Sequence, residues 1–88
     1  MRDVDRLLVA SEAAFVLEKM GFVACGRKKD GVVSVDVWWQ QPKGTSFIRY
    51  EVDRDDYTAE TLAAACAATV SLTERSAKGR RSDPGTDD

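Results

Sequence analysis

Two turn signals constrain this fold most, because they divide residues 22–53 into three short extended segments. Asp30-Gly31 is typical of a two-residue hairpin, since both central positions of a type I′ turn need a positive φ. Pro42-Lys43-Gly44-Thr45 indicates the next turn. The pattern predicts an antiparallel meander with strands at about Phe22–Lys28, Val32–Gln40 and Ser46–Asp53.

Alternation of side chains assigns the two faces of this meander. If Asp30-Gly31 and Lys43-Gly44 centre the two hairpins, Val37 pairs with Ala24 on one side and with Tyr50 on the other. The positions in this register are all apolar or small, so we expect this face to be the core. They are Phe22, Ala24, Gly26, Val35, Val37, Trp39, Ile48, Tyr50 and Val52.

A helix is predicted before the meander, over about Asp3–Met20. Asp5, Glu12 and Lys19 would form a polar stripe, with Leu8 and Phe15 flanking the apolar side. The predicted core-facing residues are Val9, Ala13, Val16, Leu17 and Met20. Alternatively, Leu7–Ala10 forms a short strand and the helix starts at Ser11.

The end of this first helix has a specific signal. Gly21 suits the position after the helix, where a left-handed backbone favours glycine. Phe22 would then contact Leu17 one turn back.

A second helix is predicted after the meander. Thr58, Asp55 or Asp56 would cap it, and it would run to about Ser76 before Gly79 ends the pattern. Its alanine-rich interior should approach the core face closely and leave room for the large side chains there.

The order of elements therefore predicts an α+β fold, a single small αβββα domain. We expect a three-stranded antiparallel meander with two helices packed on one face. The domain would span residues 1–78, and the polar residues 79–88 would form a disordered tail.

Composition excludes several classes of function. The chain has no histidine, which removes Ser-His and Cys-His catalysis and imidazole metal sites. Cys25 and Cys66 are expected to be free thiols on opposite sides of the sheet. We find no catalytic residue, metal site or cofactor motif, and we expect a non-enzymatic protein.

The N-terminus and the apolar runs bear on location. Acidic residues at Asp3 and Asp5 stand where a signal peptide would be basic, and no apolar run approaches the roughly 20 residues of a membrane span. We therefore predict a cytoplasmic protein that does not bind membranes.

The face opposite the core carries the first candidate site. Val23, Trp38, Phe47 and Arg49 would lie together there, with Val23 and Arg49 both opposite Trp38. Exposed aromatic clusters usually mark a contact surface for a protein partner or a second copy of the chain. Alternatively, the tail or the Pro42 loop covers Trp38, and the Arg49–Trp38 pair is ordinary cross-strand packing.

An acidic stretch is the second candidate site for a protein partner. Residues 51–77 hold two basic and six acidic residues, and such a patch could dock on a basic surface, even one that normally binds nucleic acid. The acidic candidates are Glu51, Asp53, Asp55, Asp56 and Glu60.

Nucleic-acid binding is the alternative function. Residues 27–50 hold five basic and two acidic residues, and aromatics on an open sheet can stack bases. This alternative would use Arg27, Lys28, Lys29, Trp38, Lys43 and Arg49. The net charge of −2 and the acids on the same face make it the weaker alternative.

The order of elements over about Asp3 to Ser76 resembles that of the double-stranded RNA-binding domain, and HicA-type toxins share it. Here Asp53-Arg54-Asp55-Asp56 stands where the RNA-binding family has a lysine cluster, and the catalytic histidine of the toxins is absent. The resemblance therefore implies an architecture, and no functional residue is carried over.

The small size, mild acidity and lack of catalytic groups are similar to those of phage-encoded inhibitors of bacterial defence systems, such as anti-CRISPR proteins. This resemblance implies an inhibitor that binds a protein, or a complex that itself binds nucleic acid. It rests on size and composition, with no motif.

Overall fold

The predicted αβββα order is confirmed. The computed structural model describes the backbone of residues 3–82 and the side chains of residues 5–75. The elements are α1 (Asp3–Lys19), β1 (Val23–Lys29), β2 (Val32–Gln41), β3 (Gly44–Glu51) and α2 (Ala59–Ser82). The strands form one antiparallel sheet in the order β1-β2-β3, so β1 and β3 are both edge strands.

Helix α1 ends as the sequence predicts. The amide of Phe22 donates to the carbonyl of Leu17 at 3.1 Å, the amide of Gly21 donates to that of Glu18 at 3.1 Å, and Gly21 has a φ of 101°. This is the Schellman arrangement, which satisfies the last carbonyls of the helix. The segment Leu7–Ala10 is helical, so the alternative of a short strand is wrong.

The buried side of α1 matches the prediction at Ala13 and Leu17 and differs from it elsewhere. Its fully buried residues are Ala10, Ala13, Ala14 and Leu17, whereas Met20 is 54% exposed. Val9 and Val16 lie at the margin of the core. The face of α1 that packs on the sheet carries small side chains because the helix lies very close to β1. A Cβ at Gly26 would lie 2.8 Å from the backbone nitrogen of Ser11.

The first hairpin has the predicted turn and register. Asp30 and Gly31 have φ values of 53° and 79°, as a type I′ turn requires. Ala24 pairs with Val37.

The predicted register of the second hairpin was wrong by two residues. Gln41 pairs with Gly44, so Pro42 and Lys43 form the loop and Val37 pairs with Ile48 instead of Tyr50. Proline has no amide proton and a fixed φ, which suits a loop position better than a place in the ladder. A shift of two keeps every side chain on its predicted face, because side chains alternate with a period of two.

The core lies between the sheet and both helices, but α1 covers most of the sheet. Helix α1 packs on β1 and β2, whereas α2 packs mainly on α1 and touches the sheet near β3. The prediction that the alanine-rich α2 makes the close approach was therefore wrong. The indole of Trp39, buried on the core face, donates a 3.1 Å hydrogen bond to Glu74 of α2.

Helix α2 begins at a cap supplied by Thr58. The Thr58 hydroxyl accepts from the amide of Thr61 at 3.1 Å, and the Thr61 hydroxyl accepts from the amide of Thr58 at 2.9 Å. This is a capping box with threonine in the place of glutamate. The helix continues through Gly79 to Ser82, so its predicted end was wrong. Residues 83–88 of the predicted tail lie outside the described residues.

Candidate functional site

Register places one side chain from each strand in successive rows across the open face of the sheet. Val23 pairs with Trp38, and Trp38 pairs with Phe47; we call these three residues the apolar row. The next row contains Cys25, Asp36 and Arg49 in the same way, and we call it the ionic row. The sequence-predicted aromatic site is therefore assembled, with all its members adjacent.

The apolar row is exposed to solvent. Val23 is 62% exposed and Phe47 42% exposed, while Trp38 is half-buried. The rings of Trp38 and Phe47 lie 5.1 Å apart between centroids at an interplanar angle of 43°. The centroid distance falls within the range of favourable aromatic pairs. Both helices lie on the other face, so neither covers this row among the described residues.

The ionic row is built around a buried carboxylate. Asp36 is only 2% exposed although it lies on the face without helices. The Nε and Nη2 groups of Arg49 donate to its two oxygens at 3.0 and 3.2 Å, and the Ser34 hydroxyl donates to Oδ1 at 3.1 Å. Nη1 of Arg27 lies 3.7 Å from Oδ2. The two guanidinium groups cover the carboxylate from both sides.

These contacts also decide the protonation state of Asp36. Burial by itself raises the pKa of this carboxyl group. The hydrogen bonds from Arg49 and Ser34, with the positive charges of Arg49 and Arg27, outweigh burial and hold the pKa below its ordinary value. The aspartate is therefore ionised, and its partner Arg49 has a raised pKa because of the same hydrogen bond.

Arg49 connects the two rows, although not as the sequence predicts. It was expected opposite Trp38, but it pairs with Asp36, and its Cζ lies 5.3 Å from the ring centroid of Phe47. The expected Arg49–Trp38 pair is therefore replaced by cation–π contact with Phe47. The same guanidinium group therefore binds Asp36 and lies over the ring of Phe47, which restricts its orientation.

The basic residues proposed for nucleic-acid binding do not form one patch. Arg27, Lys28 and Lys29 lie near the first turn, while Lys43 lies in the second, at the other end of β2. Ten residues of strand separate them by roughly 30 Å. Arg27 and Arg49 already face Asp36, which offsets part of their charge.

The acidic candidates are also divided. Nε of Arg6 donates to Asp55 at 2.7 Å, and Arg54 forms a two-bonded pair with Asp56 at 3.0 and 2.7 Å. These pairs lower the pKa of both aspartates and offset their charge locally.

The other acidic candidates do not join them in one patch. Asp53 is exposed in the segment after β3. Glu51 lies opposite Ser34 on the open face, whereas Glu60 lies in α2 beside α1. The predicted acidic surface is therefore dispersed over two sides of the domain.

The cysteines lie as predicted. Cys25 is exposed on the open face, and Cys66 is buried in the core, where desolvation raises its pKa to about 12. Within residues 5–75, no three histidine, cysteine, aspartate or glutamate side chains come close enough to hold a metal ion.

Sequence reasoning missed two features. One is Asp36 as the centre of the ionic row, which the opposite charges of Asp36 and Arg49 could have indicated once the second register was correct. The other is a groove of about 640 Å³ between α1 and the start of α2, which we call the α1–α2 groove. No sequence pattern pointed to it, because its two walls come from elements far apart in the chain.

Comparison with known proteins adds no assignment. No protein-family model matches the chain, and no curated protein or solved structure matches it either. Over its described part, the chain has no helix with an apolar stretch long enough to cross a membrane.

Proposed function

We propose that this protein is a non-enzymatic module that binds a partner protein through the apolar row and Arg49. The observation that carries the proposal is the exposed, ordered Trp38–Phe47 pair on a sheet face without a covering helix. Tryptophan and arginine are among the residue types enriched where protein interfaces concentrate their binding free energy.

Rigidity supports this function. Phe47 contacts Trp38 on one side and Arg49 on the other, and Arg49 is held by Asp36. Side chains that are already ordered lose little conformational entropy on binding, so more of the contact free energy appears as affinity.

Charge favours protein over nucleic acid as the partner. The face carries Arg27, Lys29 and Arg49 against Asp36 and Glu51, and both arginines lie against Asp36, which offsets part of their charge. Phosphate contacts supply most of the affinity of nucleic-acid binders and need uncompensated positive charge. An apolar partner surface makes no such demand.

The test is affinity capture from lysate of the organism that encodes the chain, using variants with matched controls. Val23→Asp places a charge in the apolar row at an exposed edge position, so it should leave the fold intact. Trp38→Ala with Phe47→Ala removes the aromatic pair. Met20→Ala with Leu72→Ala, two residues 54% and 57% exposed elsewhere, is the control.

We expect one protein to be captured by the wild type and the control and to be lost with both apolar-row variants. For the purified pair, the loss should be about thirtyfold or more in Kd. Retention of every captured protein by both apolar-row variants would contradict the proposal. If Val23→Asp unfolds the domain, Val23 is buried and the open face of the sheet is covered.

The nucleic-acid alternative has its own experiment. Fluorescence anisotropy with labelled single- and double-stranded RNA and DNA, at about 50 and about 200 mM salt, should show no specific binding. Salt-sensitive binding that Trp38→Ala abolishes would replace our proposal with the alternative. That the partner belongs to a bacterial defence complex, or is a second copy of the chain, stays a prediction.

A further inference from the structure

The α1–α2 groove lies on the helical side of the domain, away from the apolar row. Residues of α1 form one wall, and the first residues of α2 with their cap form the other. It is independent of the proposed function, because no residue of the apolar row or the ionic row lines it.

Its α1 wall is apolar and accessible. Phe15 is 60% exposed at the edge of the groove, and Val9 and Val16 lie only partly within the core. Leu8, 58% exposed, is one turn from Glu12 on the same helix. Side chains of this size exposed together on one helix offer an apolar surface for a second helix.

The charges that line the groove are both negative. Glu12 lies in the α1 wall and Glu60 in the α2 wall, both exposed, and among the side chains of residues 5–75 no basic one lines the groove. At the margin of the groove, Nζ of Lys19 lies 4.7 Å from the ring centroid of Phe15, so this ring already makes a cation–π contact with the chain's own lysine.

The start of α2 does not reverse this preference. A helix N-terminus attracts anions when its amides lack partners. Here the amide of Thr61 donates to Thr58, so the capping box already satisfies part of that demand.

We infer that the α1–α2 groove binds a basic amphipathic segment of a partner protein. Leucine-like side chains of that segment would contact Phe15 and the valines. Its lysines or arginines would face Glu12 and Glu60. Apolar walls with acids of one sign favour this chemistry over an acidic or a purely polar segment.

The test uses a synthetic amphipathic helical peptide with leucine on one face and lysine on the other. Two matched peptides carry glutamate in place of each lysine, or serine in place of each leucine. Binding to the full chain is followed by backbone amide shifts in NMR. We expect the leucine–lysine peptide alone to bind, with shifts centred on Ser11, Glu12 and Ala59.

Two variants then separate the groove from general acidity. Glu12→Gln with Glu60→Gln should weaken binding about fivefold, and Phe15→Ser about tenfold. The control, Glu51→Gln with Asp53→Asn, removes the same charge outside the groove and should change Kd less than about twofold.

Equal weakening by the control would overturn the inference, because the peptide would then follow net charge alone. Shifts centred on Val23, Trp38 and Phe47 would also overturn it, as would equal binding of the leucine–glutamate peptide. Binding of the serine-substituted peptide would show that the apolar wall takes no part.

Discussion

Replacing Gly26 by alanine should destabilise the domain, because helix α1 lies against β1 at this residue. An ideal Cβ at Gly26 would lie 2.8 Å from both the backbone nitrogen and the hydroxyl of Ser11, and 3.0 Å from the carbonyl carbon of Ala10. Ordinary van der Waals contact begins at 3.4 Å. Two of the three obstacles are backbone atoms, so no change of rotamer can remove the clash and α1 must move away.

That movement loosens the contact between α1 and the sheet along its length. Overpacking of this kind costs about 1–3 kcal/mol, which in a domain of this size lowers Tm by about 4–8 °C per kcal/mol. Urea and thermal unfolding followed by circular dichroism measure both quantities. Ser11→Ala alone should change stability by less than about 0.5 kcal/mol, because Ser11 is exposed.

The double variant decides whether the reasoning is correct. Ser11→Ala with Gly26→Ala removes the hydroxyl but keeps both backbone obstacles, so it should remain nearly as unstable as Gly26→Ala. Full recovery in the double variant would refute the argument from backbone contact. A stable Gly26→Ala would refute the close approach itself.

Three further predictions test the site and the core. Asp36→Asn should lower the free energy of unfolding by about 1–2 kcal/mol at neutral pH. Because the pKa of Asp36 is lowered in the folded state, this loss of stability should persist above about pH 4 and vanish as the pH falls below it. A loss of stability that persists at low pH in unfolding curves would contradict the ion-pair account. Thiol titration at mildly alkaline pH should detect one rapidly reacting thiol in the wild type, Cys25, and none in Cys25→Ser. The reason is that Cys66 is buried and has a pKa of about 12. Two rapidly reacting thiols in the wild type would contradict the buried position of Cys66. The 2.8 Å hydrogen bond between the hydroxyls of Tyr50 and Tyr57, together with burial, raises the pKa of Tyr50 to about 12. Tyr57→Phe removes this bond, so ultraviolet titration of Tyr50 should show a lower pKa. An unchanged pKa would assign the shift to burial.

The sequence predicts which face of the sheet carries Trp38 and Phe47, because a register shift of two residues does not change the face on which a side chain lies. Any two-residue hairpin loop near Pro42–Gly44 that shifts register by two leaves Trp38 and Phe47 on the face away from the core. The partner of each residue is not robust in this way. Only the correct register brings Asp36 opposite Arg49 and makes the ionic row.

The balance of the acidic residues could not be predicted either. Asp55 pairs with Arg6, which precedes it by 49 residues, so the offset of its charge depends on how α1 lies against the segment after β3. The net charge of residues 51–77 does not reveal that contact, because Arg6 lies outside this segment. The same reason hid the α1–α2 groove.

The sequence by itself determined the elements and their order, since the stop at Gly21, the turn at Asp30-Gly31 and the cap at Thr58 are local signals read within one turn of chain. Only the tertiary structure decided which helix covers the sheet. Composition favoured the other helix, because α2 contains seven alanines and α1 only three. Helix α1 covers the sheet because Gly26 has no side chain and its backbone can lie against that of Ser11. This fit between α1 and β1 depends on both segments, and neither specifies it alone.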